Sequence, residues 1–149
     1  MINFLIEIEG MEMATLSFVN IFSKDIKKLS DFYMHVFGFK ELKNYRSPIF
    51  RAIHTGKCSI GINSLDAYAL LNLKSQEKTK GVKFLLNFEA RSMKEVDELT
   101  ARAVRRGARA IKEPYRTYYN WYQAVLLDPE ENAFRINKVL PGDRKKLKK

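Results

Sequence analysis

The order of apolar and polar residues in the stretch 16–39 predicts a strand that runs into an amphipathic helix. Leu16, Phe18 and Phe22 alternate with small or polar neighbours, as in a half-buried strand. Apolar and aromatic residues then recur at helical spacing, at Ile26, Leu29, Phe32, Tyr33 and Val36. Asp25 is placed to cap the start of this helix, and Gly38 is placed to end it.

The same order of residues returns in the stretch 82–108. It predicts a strand at 82–90, a polar turn at Arg91 and Ser92, a helix over 92–106 and a stop at Gly107. Asp25 and Ser92 are 67 positions apart, and so are Asn20 and Asn87. The two stretches are therefore interpreted as copies of one unit, about half a chain apart.

Short strands complete each unit. In the first half they are predicted at 39–44, 49–55 and 58–63, and in the second at 110–113, 121–127 and 133–139. Residues 64–81 break the strand pattern and predict a short helix followed by a polar linker. The fold class is therefore predicted as α+β, with βαβββ modules at 14–63 and 82–140. A lone module would leave one sheet face uncovered, so the two are expected to form one domain with a curved mixed sheet around a central cavity.

Composition and charge narrow the class of protein. The chain of 149 residues is 46% hydrophobic, enough to bury a core, and no apolar run is long enough to span a bilayer. Its single cysteine, Cys58, fits a reducing compartment, and the extension 1–13 lacks the pattern of a signal peptide. The net charge of +10 depends partly on the basic tail at 141–149, and no nucleic-acid-binding motif accompanies it. We expect a cytoplasmic protein without a membrane or a specific nucleic-acid partner.

Three segments together resemble the vicinal oxygen chelate superfamily, which includes glyoxalases, bleomycin-resistance proteins, fosfomycin-modifying enzymes and extradiol dioxygenases. They are the FVNIFSKDIKKLSDFYMHVFGF stretch, the step from Gly107 to Pro114, and LLDPEENAFRIN before the last strand. The resemblance covers about residues 16–139. It implies paired βαβββ modules enclosing a cavity, often in a homodimer, but it leaves the reaction open, because that superfamily contains several chemistries and some pure binders.

The resemblance also implies a test for a metal site. Members with catalytic activity usually hold one divalent metal through His, Glu or Gln side chains on the first and last strands of each module. Those positions fall on Phe18, Leu85 and Arg135 here, and the last strand of the first module, SIGIN, offers no carboxylate or histidine. Phenylalanine and leucine have no lone pairs to donate, and a guanidinium repels a cation. We therefore expect no metal and no other cofactor.

Candidate binding residues follow from strand alternation. If the metal-ligand positions mark the inward face, the cavity is lined by Asn20, Asn87, Glu89, Arg135 and Asn137. Arg135 would then bind a carboxylate or phosphate, although an internal ion pair between Arg135 and Glu89 is an equally good explanation. The aromatic segment 115–123 adds Tyr119 and Trp121 as a pocket rim, a dimer interface or a loop packed on the sheet.

Catalytic residues are harder to assign. His54 and Glu89 are the candidates for a general base, whereas His35 is expected on the flank of the first helix. Three functions remain as alternatives: a metal-free protein that binds a small organic anion, a glyoxalase-like lyase or isomerase with a divergent metal or acid–base site, and a protein that acts through its dimer surface or tail. The residues favour the first, because Arg135 stands at a metal-ligand position.

Overall fold

The computed structural model describes residues 14–142 and contains two copies of a βαβββ unit. The first copy comprises β1 (Phe18–Ser23), α1 (Ile26–Phe37), β2 (Lys40–Glu41), β3 (Phe50–His54) and β4 (Ser59–Ser64). After the short helix α2 (Asp66–Leu70), the second copy comprises β5 (Leu86–Glu89), α3 (Met93–Arg105), β6 (Arg109–Arg116), β7 (Trp121–Leu127) and β8 (Ala133–Val139). The predicted α+β class with tandem modules is confirmed. The predicted extension at 1–13 and the tail from residue 143 onward lie outside the described residues.

Each copy builds a four-stranded mixed sheet with the same connectivity. The strand orders are β1-β4-β3-β2 and β5-β8-β7-β6, and the first strand pairs in parallel with the last one in both. Side chains alternate across each sheet, so one face packs against the helices and the other does not. Ile60 and Ile62 in the first sheet, and Phe134 and Ile136 in the second, lie in the common core with Val96 of α3.

The two long helices begin as predicted. The Asp25 side chain accepts a hydrogen bond from the Lys28 backbone N–H at 3.0 Å, and Ser92 caps α3 in the same way through the Glu95 N–H at 3.0 Å. Gly38 ends α1 with φ 73°, in the left-handed region that glycine adopts without strain. These caps support the interpretation of the sequence as two copies of one unit.

Three predicted strand boundaries are wrong. β2 has only two residues, because the chain turns into a 3₁₀ helix at Lys43–Tyr45. Residues 82–85 are not part of β5, whose pairing with β8 begins at Leu86 opposite Phe134. β6 extends to Arg116 past Pro114, with register shifts before Tyr115. Proline is tolerated there because β6 is an edge strand. Only residues 117–120 of the segment predicted between the strands 110–113 and 121–127 lie outside the strands.

The modules are joined where α1 meets the turn between β7 and β8. The Tyr33 hydroxyl is buried and donates to the Asp128 Oδ2 atom at 2.6 Å. The Lys24 backbone N–H donates to the Glu130 Oε1 atom at 2.8 Å, and the Ser23 hydroxyl donates to the same carboxylate. This turn therefore fixes the position of the first module's helix. None of the helices within residues 14–142 has the length and apolar character needed to cross a bilayer.

Burial gives Tyr33 a pH-dependent role in stability. Desolvation, with a further contribution from the Asp128 carboxylate, raises the pKa of Tyr33 well above its ordinary value of 10.0. Above that pH the unfolded chain loses this proton while the folded chain retains it, so the free energy of unfolding falls by up to about 1.4 kcal/mol per pH unit. At pH values below the ordinary pKa, Tyr33 adds no pH dependence to the free energy of unfolding.

We expect Tyr33→Phe to remove this alkaline loss of stability. Urea unfolding of both proteins should give a difference in unfolding free energy that is constant up to pH 9 and shrinks as the pH rises above about 10, because only the wild type then loses stability through this group. A difference in unfolding free energy that stays constant up to the highest pH measured would contradict the raised pKa of Tyr33.

Candidate functional site

A group of polar and aromatic side chains lies on the face of the second sheet that does not pack on the core. The strand register pairs Asn87 with Arg135, and Asn137 with both Glu89 and Gln123. Phe134 and Ile136 alternate with these positions and are fully buried on the opposite face. Because side chains on paired residues point to the same side of a sheet, the polar set forms one surface across β5, β8 and β7.

Arg135 is the centre of this surface. Its Nε atom donates a hydrogen bond to the Asn87 Oδ1 atom, and the Asn87 Nδ2 atom donates in turn to the Asn137 Oδ1 atom at 2.7 Å. The guanidinium carbon lies 5.0 Å from the centre of the Trp121 ring, within range of a cation–π contact. Among residues 14–142, no hydrogen bond or ion pair involves the two terminal amino groups of Arg135. The contacts of Arg135 within these residues therefore involve its Nε atom and the face of its guanidinium.

A second polar network supports Trp121 from the side of β6. Gln123 is 3% exposed, and its amide accepts from the Tyr119 hydroxyl at 3.1 Å and donates to the Tyr115 hydroxyl at 2.8 Å. The Tyr119 and Trp121 rings meet edge to face, with centres 5.4 Å apart. Such an arrangement restricts the rotamers of both rings. The Arg135 surface therefore has a fixed aromatic border.

Sequence reasoning missed Gln123, Tyr115 and Lys112 as members of this surface. The Lys112 Nζ atom lies 3.9 Å from the centre of the Tyr115 ring and adds a second cation to the region. The strand predicted at 121–127 places Gln123 on the same side as Trp121, so alternation could have identified it. Tyr115 and Lys112 were hidden because the irregular register of β6 breaks simple alternation.

The first sheet has an aromatic surface at the related positions. Asn20 pairs with Gly61, just as Asn87 pairs with Arg135. A Cβ atom at Gly61 would clash with the Asn20 Oδ1 atom, so the missing side chain leaves room for Asn20 to lie over β4. Phe18 packs against Tyr45 and Phe50 nearby, with ring centres 5.8 and 6.3 Å apart. The arginine therefore belongs to only one of the two copies.

Most of the predicted binding residues lie in the second sheet, except that Tyr119 lies in the turn between its strands β6 and β7. They are Asn87, Glu89, Arg135, Asn137, Tyr119 and Trp121. Asn20 lies in the first sheet, and within the described residues its side chain shares no hydrogen bond with the Arg135 group. His54 and Glu89 end strands of different sheets, β3 and β5, so the structure does not pair the two candidate bases. Their catalytic roles stay predictions.

The positions predicted for the superfamily's metal ligands do not fit a divalent metal. Phe18 is engaged in ring contacts, Leu85 is a half-exposed hydrocarbon side chain before β5, and Arg135 carries a positive charge. None of the three can donate an electron pair to a cation. Within residues 14–142 no group of three or more His, Cys, Asp or Glu side chains is placed to hold a metal ion. These side chains therefore do not form a divalent-metal site.

Comparisons with known proteins agree with this fold. The model of the glyoxalase/bleomycin resistance protein/dioxygenase superfamily matches residues 15–136. A glyoxalase/bleomycin resistance protein/dioxygenase family enzyme from Burkholderia phytofirmans PsJN is 56% identical, with a TM-score of 0.84, over 85% of this chain and 100% of its own. None of the curated proteins matches the chain.

More distant structures resemble the chain in fold alone. A genomically encoded fosfomycin resistance protein from Listeria monocytogenes is 19% identical with a TM-score of 0.68, covering 89% of this chain and 99% of its own. Lactoylglutathione lyase from Agrobacterium tumefaciens is 16% identical with a TM-score of 0.65, covering 85% and 95% respectively.

Proposed function

We propose that the chain, which belongs to the glyoxalase/bleomycin resistance protein/dioxygenase superfamily, binds a small organic anion without a metal. The sequence resemblance predicts Arg135 at a position where a metal ligand would stand. The observation that supports this proposal is the arrangement of Arg135 itself. Asn87 and Trp121 hold the guanidinium, while its terminal amino groups have no partner among residues 14–142. A held guanidinium loses little conformational entropy when it binds a second group.

The chemistry of this surface favours a carboxylate or phosphate attached to a flat apolar body. The guanidinium presents parallel N–H donors that match two oxygens of either anion. Trp121 and Tyr119 provide aromatic area beside the charge, and Lys112 adds positive potential on the same sheet. The protein's net charge of +10 also favours the approach of anions.

A lyase or isomerase activity is the alternative. The Agrobacterium relative carries such a name, but it is 16% identical and supports the fold only. A glyoxalase-like reaction here would need a base beside the ligand, and Glu89 lies two residues from Asn87 on β5. Nothing in the geometry beyond this proximity favours catalysis, so we propose binding as the function.

A matched set of small aromatic compounds tests the proposal. Benzoate and phenyl phosphate should raise the melting temperature of the tag-free protein in a saturable way, whereas benzylamine and benzyl alcohol should not. Titration with zinc, nickel and manganese should release no binding heat. Stabilisation by the amine but not by the anions, or stoichiometric metal binding, would overturn the proposal.

We further propose that the protein acts as a cytoplasmic homodimer. The single cysteine fits a reducing compartment. The segment between the modules exposes seven large apolar side chains, which are Leu65, Leu70, Leu71, Leu73, Val82, Phe84 and Leu85. Soluble monomers seldom expose apolar side chains at this density, and a second copy would remove them from water.

Trp121→Ala tests whether Trp121 belongs to the rim of a binding site or to a dimer interface. A cation–π contact at an exposed site contributes about 0.5–1 kcal/mol, so benzoate binding should weaken about two- to five-fold. Sedimentation velocity should show the same oligomeric state as the wild type, because the exposed apolar residues lie elsewhere. Loss of the dimer with unchanged benzoate affinity would mean that Trp121 is an interface residue instead.

A further inference from the structure

A cavity lies on the core side of the sheets, between the two modules. It has a volume of about 830 Å³, is partly open to solvent, and is bounded by Val19 and Ile60 of the first sheet and by Leu86, Phe88 and Leu99 of the second module. Small-molecule sites typically enclose roughly 300–1,000 Å³ with mainly apolar walls. Arg135 does not line this cavity, which therefore differs from the Arg135 surface, although Asn87 and Glu89 border both.

The cavity arises because the two copies differ where they meet. Tyr33 of α1 reaches the turn between β7 and β8 and bonds Asp128. The residue 67 positions later in α3 is Thr100, whose hydroxyl donates to the Val96 carbonyl of its own helix at 2.7 Å. The short turn at 55–58 and α3 therefore border open space instead of meeting through a large side chain.

The walls favour flat apolar molecules. The Phe37 ring stacks on Phe88 with ring centres 4.1 Å apart and on Phe39 with centres 5.3 Å apart, and all three residues line the cavity. An aromatic molecule that replaces water against these rings gains apolar burial and ring contacts. The charged lining is mixed in sign, with Lys57, Glu89 and Glu95, and Glu95 is paired with Arg91 at 2.8 Å.

We propose that this cavity is a second binding site, for an uncharged, flat aromatic molecule. The charged residues at the rim are of both signs, so they do not favour an ionic ligand. The stacked rings of Phe37, Phe39 and Phe88 favour a ligand with an aromatic face. Arg135 does not line this cavity, so the two proposals can fail separately.

The test uses N-phenyl-1-naphthylamine, an uncharged dye that fluoresces in apolar surroundings, with the full-length protein. Cys58 lines the cavity and is the chain's single cysteine, so its alkylation by iodoacetamide reports whether the cavity is filled. Saturating dye should slow alkylation at least five-fold. Leu99→Trp, which fills the cavity from α3, should weaken dye binding at least ten-fold, and the matched control Val104→Trp, 45% exposed on the same helix, should not.

Arg135→Gln should leave dye binding unchanged, which keeps this test separate from that of the anion surface. If Leu99→Trp fails to fold, Val19→Phe fills the cavity from the other module and should have the same effect. Unchanged alkylation of Cys58 in saturating dye, or equal dye affinity in the filled and control variants, would show that the dye binds elsewhere and would overturn the proposal.

Discussion

Benzoate binding is expected to weaken about 10- to 100-fold when Arg135 is replaced by glutamine, because a charge-assisted hydrogen bond contributes about 1.5–3 kcal/mol. Glutamine retains an amide N–H that can reach Asn87, so the sheet should keep its local structure. It loses the positive charge and the paired terminal donors that match a carboxylate. Isothermal titration of both proteins measures the change directly.

Arg116→Gln is the matched control for this substitution. Arg116 ends β6 of the same sheet and is paired with Tyr122, whose hydroxyl bonds Asp97 of α3 on the helix side. The control removes the same charge from the same sheet but from the other face. A similar loss of affinity in both variants would mean that net charge, not the Arg135 group, attracts the anion.

Asp128→Ala is expected to lower the free energy of unfolding by about 3 kcal/mol or more, because it leaves several polar groups without partners. Asp128 is 3% exposed and accepts the Tyr33 hydroxyl at 2.6 Å and the backbone N–H groups of Glu130 and Asn132 at 2.8 and 3.0 Å. The substitution therefore disrupts both the turn and the contact between modules. Denaturant unfolding at neutral pH measures the loss.

Two further variants separate the contributions of Asp128. Asp31→Ala removes a half-exposed aspartate of α1 that pairs with Lys27, and should change the free energy of unfolding by less than about 1 kcal/mol. Combining Asp128→Ala with Tyr33→Phe should cause less destabilisation than the sum of the single changes, because the two side chains share one hydrogen bond. If the two losses of stability simply add, the destabilisation by Asp128→Ala comes from the turn and not from the hydrogen bond to Tyr33.

Much of the fold could be predicted because local signals agree with the final structure. Asp25, Gly38 and Ser92 act at the helix ends where their side chains or backbone freedom predict them. The spacing of 67 residues identified equivalent positions in both sheets, such as Asn20 and Asn87. Strand boundaries failed where pairing decides them, as at 82–85, which lie before the first residue pair of β5 with β8.

The candidate site was only partly predictable. Alternation placed Asn87, Arg135 and Asn137 on one face, but it could not reveal that Arg135 bonds Asn87 and stacks on Trp121, because those contacts depend on rotamers and register. The contrast between Gly61 and Arg135 at related positions became visible only from the strand pairs. The cavity between modules depends on which side chains fill the interface, and no local pattern encodes that.

The most direct test of the anion site is the ¹⁵N–¹H spectrum of the arginine Nε–H groups during titration with benzoate. The Arg135 signal is identified by its disappearance in Arg135→Gln. Binding at this residue should shift that signal in a saturable way, with the same dissociation constant that calorimetry gives. Saturable binding with an unchanged Arg135 signal, while other arginine signals shift, would place the anion elsewhere and contradict the proposed function.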